Sequence, residues 1–157
     1  MSVSIQRLVE LPADRLADLL AESEEFQLRL VRRLVDEWIS GANRFDQPGE
    51  AFFAAEIDGC VIGVCGLNVD CYTPEPRTGR VRHLYVLLEH RRRRIGMRLM
   101  HEVIAAARGT FDRLRLRTNN PQAAAFYEEL GFQPTVGDPD CTHVLQLSAV
   151  RDSDAIS

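Results

Sequence analysis

The spacing of apolar positions changes from segment to segment along the chain, and that spacing predicts the elements. Residues 2–10 read as a first strand, and Pro12 then opens a short helix over 12–21 with Leu16, Leu19 and Leu20 inward. A longer helix is predicted over 24–40. There Phe26, Leu30, Leu34 and Trp38 recur every fourth residue beside Val31 and Val35, with Trp38 in the core. Gly41 is placed to stop it. Two apolar runs, 51–57 and 60–69, are joined by Asp58-Gly59, the strongest short hairpin signal.

Residues 71–79, with two prolines, read as a surface loop, and 80–88 as a fourth strand. An amphipathic helix follows over 95–108, with Ile95, Leu99, Val103 and Ala107 on one stripe. In residues 111–117 Leu114 and Leu116 alternate with three arginines, the period of a half-buried strand, so Arg113, Arg115 and Arg117 are expected as a solvent-facing row. A last helix over 121–130 ends at Gly131, and 132–136 and 141–147 make a closing antiparallel pair.

The order is βααβββαβαββ. It describes an α/β (α+β) fold whose mixed, mostly antiparallel sheet is built around one parallel strand–helix–strand crossover. No repeat or low-complexity linker divides the chain, so residues 1–148 are read as one domain and 149–157 as a disordered tail.

Charge sharpens the picture. Every one of the 19 basic residues is arginine, which excludes chemistry that needs a Schiff-base, phosphate-loop or general-base lysine. The net charge is −4, yet residues 77–117 hold twelve arginines against three acids, +9 locally, leaving −13 elsewhere. An acidic chain with one basic segment points to a local anionic ligand, not to a nucleic-acid track or a membrane surface. The four cysteines form no CxxC pair and no metal-ligand spacing. Without a basic-then-apolar leader they are expected to be reduced thiols of a cytoplasmic protein, with no metal.

The stretch from Val81 to Met100, VRHLYVLLEHRRRRIGMRLM, carries the chemistry. An apolar strand runs into a basic loop and then into a helix with Gly96 in its first turn. A helix N-terminus offers unpaired N–H groups and about half a positive charge to a phosphate. Gly96 lets the ligand approach, and Arg91, Arg92, Arg93 and Arg94 add charge around it.

These residues resemble the pyrophosphate loop of the GNAT superfamily of N-acetyltransferases, Q/R-x-x-G-x-G/A after a hydrophobic-aromatic-Val strand end. Leu84, Tyr85 and Val86 match the strand end, Arg91 the first loop position and Gly96 the last. Arg94 stands where the pattern has its first glycine, so the backbone must make room for a Cβ. A second motif lies in register: Asn120-Pro-Gln-Ala123, then Phe126-Tyr127, then Leu130-Gly131-Phe132, resembling the family's Asn-x-x-Ala, Tyr, Leu-Gly-Phe signature. The likeness extends over residues 2–147.

The resemblance implies a GNAT-like fold and acetyl-CoA as co-substrate, with transfer to an amine by direct attack in a ternary complex. Coenzyme A would be held by Leu84, Tyr85, Val86, Arg91 to Arg94, Ile95, Gly96, Met97, Asn120, Ala123, Phe126 and Tyr127. The N–H near Val86 would polarise the thioester, a contribution of ~3–4 kcal/mol for such donors. Tyr127 would protonate the departing thiolate. Asn120 also reads as a helix N-cap before Pro121, and Tyr127 also as a packing residue.

A lysine-like amine of pKa ~10.4 is neutral about once in 10³ at pH 7, a cost of ~4.6 kcal/mol, so a base or water chain is expected. The family often has a glutamate on the fourth strand where this chain has Arg80. His83 is the catalytic candidate in its place, with Asp70 and Glu50 as alternatives. Arg44, Phe45 and Asp46, in the loop after the second helix, and Asp70 are candidate acceptor contacts. The acceptor is expected to be a small-molecule or peptide amine, with a homodimer as the family's common assembly. The alternative reading is an acyl-CoA-binding module without catalysis.

Overall fold

The computed structural model describes residues 2–91 and 93–147. Arg92 and the predicted tail lie outside the described residues. The elements are β1 (Ser4–Arg7), α1 (Ala17–Glu25), α2 (Leu30–Ser40), β2 (Ala51–Ile57), β3 (Cys60–Val69) and β4 (Thr78–Val86). They continue with α3 (Ile95–Arg108), β5 (Arg113–Leu116), α4 (Pro121–Glu129), β6 (Gln133–Pro134) and β7 (His143–Gln146). The seven strands form one sheet in the order β1-β2-β3-β4-β5-β7-β6. Every pairing is antiparallel except β4 with β5, the strands that flank the α3 crossover.

The hairpin between β2 and β3 turns on Asp58 and Gly59, with φ of 51° and 81°. Two consecutive positive φ values are what a two-residue hairpin with right-handed strand twist requires. The paired strands are almost wholly buried, sandwiched between helices on both faces. On one face α3 lays Ile95, Leu99, Val103 and Ala107 against the sheet, and Met100 meets Cys65 of β3. On the other, α2 buries Val31, Leu34, Val35 and Trp38. The Trp38 ring packs edge-on to Phe52 and tilted to Phe45, as a core residue does.

Three expectations need correction. The predicted helices over 12–21 and 24–40 are divided differently: a 3₁₀ turn at Ala13–Leu16 leads into α1, and the chain breaks between Phe26 and Arg29. Gln27 takes a left-handed φ of 60°, and the Leu28 N–H returns to the Ser23 carbonyl, closing α1. Phe26 is consequently exposed and does not share the α2 stripe. The fourth strand begins earlier, so Thr78 and Gly79 belong to β4 and not to the loop; it also ends earlier, at Val86. Arg115 is buried, not part of a solvent-facing row, and pairs with Asp70 at 3.5 Å and Asp138 at 2.6 Å.

Candidate functional site

β4 is irregular where the sequence places the chemistry. Its pairing to β3 slips between Val64 opposite Tyr85 and Gly66 opposite Arg82, so β4 carries one extra residue. His83 takes a φ of 62° there. Such a bulge bends the strand and re-aims the side chains beyond it. On the other side, β5 pairs only with Thr78, Gly79 and Arg80. From Val81 to Val86, β4 has no ladder partner on β5, which ends at Leu116.

The loop after β4 is held by its own side chains. Glu22 of α1 accepts a hydrogen bond from the Tyr85 hydroxyl at 2.7 Å and another from the Leu88 N–H at 2.9 Å. Burial, and then Glu22, push the Tyr85 phenol above its ordinary pKa. Arg91 donates through Nε to the Val86 carbonyl at 2.7 Å and lies 5.2 Å from the Tyr85 ring centroid. Arg91 is thus a staple of the loop. Sequence reasoning misses Glu22, because it meets Tyr85 only in tertiary structure, 63 residues away.

Arg94 is the residue before α3, with φ 60° and ψ 21°. The chain makes room for its Cβ by accepting a left-handed arginine. No side chain caps α3, so its first-turn N–H groups face the loop. Arg93 and Arg94 are exposed, Ile95 is buried beneath them, and Gly96 and Met97 are half-buried. A Cβ built on Gly96 would meet Phe126 of α4 at 3.6 Å, so the first turn of α3 faces the aromatic side of α4.

Asn120 caps α4: its side-chain oxygen accepts from the Gln122 and Ala123 N–H groups at 2.8 and 3.3 Å, with Pro121 in the first turn. Tyr127 is buried between Phe126 and Phe132, at centroid distances of 5.3 and 5.6 Å. Burial, with Cys65 second, pushes its phenol above the ordinary value, so Tyr127 holds its proton at neutral pH. The Cys65 thiol is itself pushed up to about 12 by burial, which leaves it a poor nucleophile.

The candidates on the acceptor side separate. His83 has a buried Nε2 with no hydrogen-bond partner among the described residues. Desolvation, then Arg82 and Arg33, hold its pKa at about 3 against a raising contact with the Leu30 backbone. A base that weak takes up few protons near neutrality. The Asp70 side chain has 0% exposure, is paired with Arg80 at 3.4 Å and with Arg115, and accepts the Tyr72 N–H. It is a structural hub closed to an acceptor. Phe45 is in the core, filling the space that the missing side chain of Gly66 leaves, and not at an acceptor surface. Arg44 donates to the Trp38 and Ile39 carbonyls at the end of α2. Glu50 is buried and accepts the Gln47 and Val69 N–H groups, while Asp46 is exposed.

Among the described residues no cluster of His, Cys, Asp or Glu could hold a metal, and no helix is long and apolar enough to cross a membrane.

Known proteins share this arrangement. The Acetyltransferase (GNAT) family model matches residues 13–132. The N-alpha-acetyltransferase RimI of Mycobacterium tuberculosis is 34% identical over 100 residues, which are 62% of this chain and 63% of that relative's length. The crystal structure of a candidate acetyltransferase from Exiguobacterium sp. 255-15 superposes with a TM-score of 0.85 at 35% identity, over 98% of this chain and 99% of the other. The PaiA N-acetyltransferase of Thermoplasma acidophilum, solved in complex with coenzyme A, shares the fold at a TM-score of 0.69 and 21% identity, over 93% and 99% of the chains.

Proposed function

Because the chain belongs to the GNAT acetyltransferase family, we propose that it transfers the acetyl group of acetyl-CoA to an amine by direct attack in a ternary complex. The observation that carries this reading is the stretch of β4 beyond Arg80 that has no ladder partner on β5, followed by the uncapped start of α3. An extended pantetheine arm fits a strand edge without a ladder partner. A pyrophosphate fits a helix N-terminus flanked by Arg93 and Arg94.

The amine nitrogen bonds to the acetyl carbon as the carbon–sulfur bond breaks. The CoA thiolate takes up a proton and the new amide gives one up. Tyr127 is the proposed donor to the thiolate; its phenol is protonated at neutral pH, although burial makes it a weaker acid than a free tyrosine. The buried Cys65 thiol, pushed up by burial, is a poor candidate for an acyl-enzyme. Backbone N–H groups near Val86 supply the polarising contact, and Asn120 acts by fixing the start of α4.

Calorimetric titration with acetyl-CoA, free CoA and ATP tests the reading. Micromolar binding of both CoA species with much weaker ATP is expected, and absent CoA binding would overturn it. Binding without thiol release on any amine selects the non-catalytic alternative.

A further inference from the structure

Arg80 and Arg82 of β4 pair with Asn68 and Gly66 of β3, so their side chains share a face with Asn68. α2 covers that face and brings in Glu37. A cavity of about 240 Å³ lies there, lined among others by Glu37, Asn43, Glu50, Asn68, Arg80 and Arg82.

Hydrogen bonding sorts these groups. Glu50 accepts two backbone N–H groups. Asn43 and Asn68 bond to each other twice, at 2.9 Å each. Arg80 pairs with Asp70 and lies 4.5 Å from the Tyr72 ring centroid. Arg44 is turned onto the α2 carbonyls and Asp46 is exposed at the rim, which leaves Glu37 and Arg82 as the part-buried charges without a hydrogen bond among the described residues. The buried Oε1 of Glu37 accepts no hydrogen bond among the described residues, and Nη2 of Arg82 stands 3.8 Å from it, beyond hydrogen-bond reach. The part-exposed Glu37 and Arg82 side chains line the same open space, with the Glu37 Oε1 atom itself covered. A ligand carrying both charges supplies what each lacks.

We propose, resting on the acetyltransferase reading above, that the acceptor is a small free amino acid whose carboxylate binds Arg82 and whose ammonium binds Glu37. The cavity is smaller than the ~300–1,000 Å³ of drug-sized sites, which suits one amino acid. A peptide N-terminus has no carboxylate beside its amine and leaves Arg82 unsatisfied. Arg82 also lies in the part of β4 beyond its pairing with β5, where the acetyl-CoA arm is proposed to lie.

The test follows thiol release from acetyl-CoA with the common L-amino acids, β-alanine and γ-aminobutyrate. Each is run beside its amide and its decarboxylated amine, and N-terminal peptides are run in parallel. At least one free amino acid is expected to exceed its amide tenfold in kcat/KM. Arg82→Gln should raise KM for that acid at least tenfold and leave the Kd for acetyl-CoA within twofold. Glu37→Gln, with the melting temperature checked for both variants, should raise the same KM.

Acid and amide used equally, peptides used better, no amino acid turned over, or Arg82→Gln weakening acid and amide alike would each overturn the proposal while acetyl-CoA binding stands. If acetyl-CoA does not bind, the acetyltransferase reading falls instead. Equilibrium dialysis of the same amino acids against the wild type and Arg82→Gln then decides the site: binding lost in the variant retains it, and no binding removes it.

Discussion

Replacing Gly96 with alanine separates what this glycine does for the fold from what it does for a ligand. It lies in the first turn of α3, at an ordinary helical φ, so it carries the entropic cost of glycine in a helix without the benefit of a left-handed turn. The added methyl meets Phe126 Cζ at 3.6 Å and Cε1 at 3.9 Å, ordinary contact distances, so no clash offsets the gain. Alanine should therefore stabilise the chain by about 0.5–1 kcal/mol. For a chain of 157 residues that is a melting temperature higher by roughly 1–4 °C. The same methyl narrows the gap between α3 and α4 where the phosphate-bearing ligand is proposed to approach. The acetyl-CoA Kd should rise at least tenfold, about 1.4 kcal/mol. Differential scanning fluorimetry and calorimetry on the same preparation read both effects. A stabilised variant with unchanged acetyl-CoA affinity would refute the loop placement, leaving Gly96 as a spacer beside Phe126.

Arg94→Gly removes a side chain from a left-handed conformation that costs an L-residue ~1–2 kcal/mol. After glycine's own entropy, a net gain of about 0.5–1 kcal/mol is expected in chemical denaturation. Tyr127→Phe keeps the ring between Phe126 and Phe132 but deletes the proton donor. It should lower kcat by ~10²–10⁴ with the KM for acetyl-CoA nearly unchanged, as initial rates would show. Glu22→Ala leaves the Tyr85 hydroxyl and the Leu88 N–H without their acceptor and should cost about 1–3 kcal/mol in urea unfolding. His83, with a folded pKa of about 3 against an ordinary 6.5, binds a proton more readily when unfolded. Its contribution to stability is thus present above pH 6.5 and lost as pH falls from there towards 3, by up to ~1.4 kcal/mol per pH unit. His83→Asn, which tolerates the left-handed backbone, should flatten that slope in urea titrations between pH 7 and 4.5.

The elements best read from sequence are those whose signal is local. Asp58-Gly59 forces its hairpin through two positive φ values, and α3 starts and stops where the basic loop and the periodic stripe say it should. The errors arise where a pattern is blind to its surroundings. The fourfold recurrence from Phe26 to Trp38 continues smoothly through Gln27, yet the chain turns left-handed there, and α1 can then present Glu22 to the end of β4. Alternation on β5 correctly assigns Arg115 to one face. It does not reveal that Asp70 and Asp138 meet it there and exclude water. Phe45 sits in a polar loop, and its burial comes from the space above Gly66 and from the Trp38 and Phe52 rings it meets. The phosphate-loop half of the site is contiguous in the chain and therefore legible. Glu37 and Arg82 come from different elements and become neighbours only once α2 crosses β4.

The segment carrying +9 is less of a ligand field than its composition implies. Acids drawn from outside it are spent on its strand arginines: Asp70 on Arg80 and Arg115, Glu75 on Arg113 and Asp138 on Arg115. Arg77 is paired within the segment with Asp112, and Arg91 is turned onto the Val86 carbonyl. The strand arginines are accordingly parts of the sheet's ion-pair layer, and their charge is largely neutralised within a few ångströms. Arg93, Arg94 and Arg98 remain exposed around the start of α3, where the helix adds its own positive end. Exposed Arg108 and Arg117 stand singly at the far end of α3 and just past β5, so the clustered positive charge is that of the loop and the α3 N-terminus, a footprint the size of a pyrophosphate. The sheet's internal pairing is thus what turns a diffuse basic segment into a localised anion site. Within that pairing the 3.8 Å gap between Glu37 and Arg82 is the place where the layer stays open to a second, zwitterionic ligand.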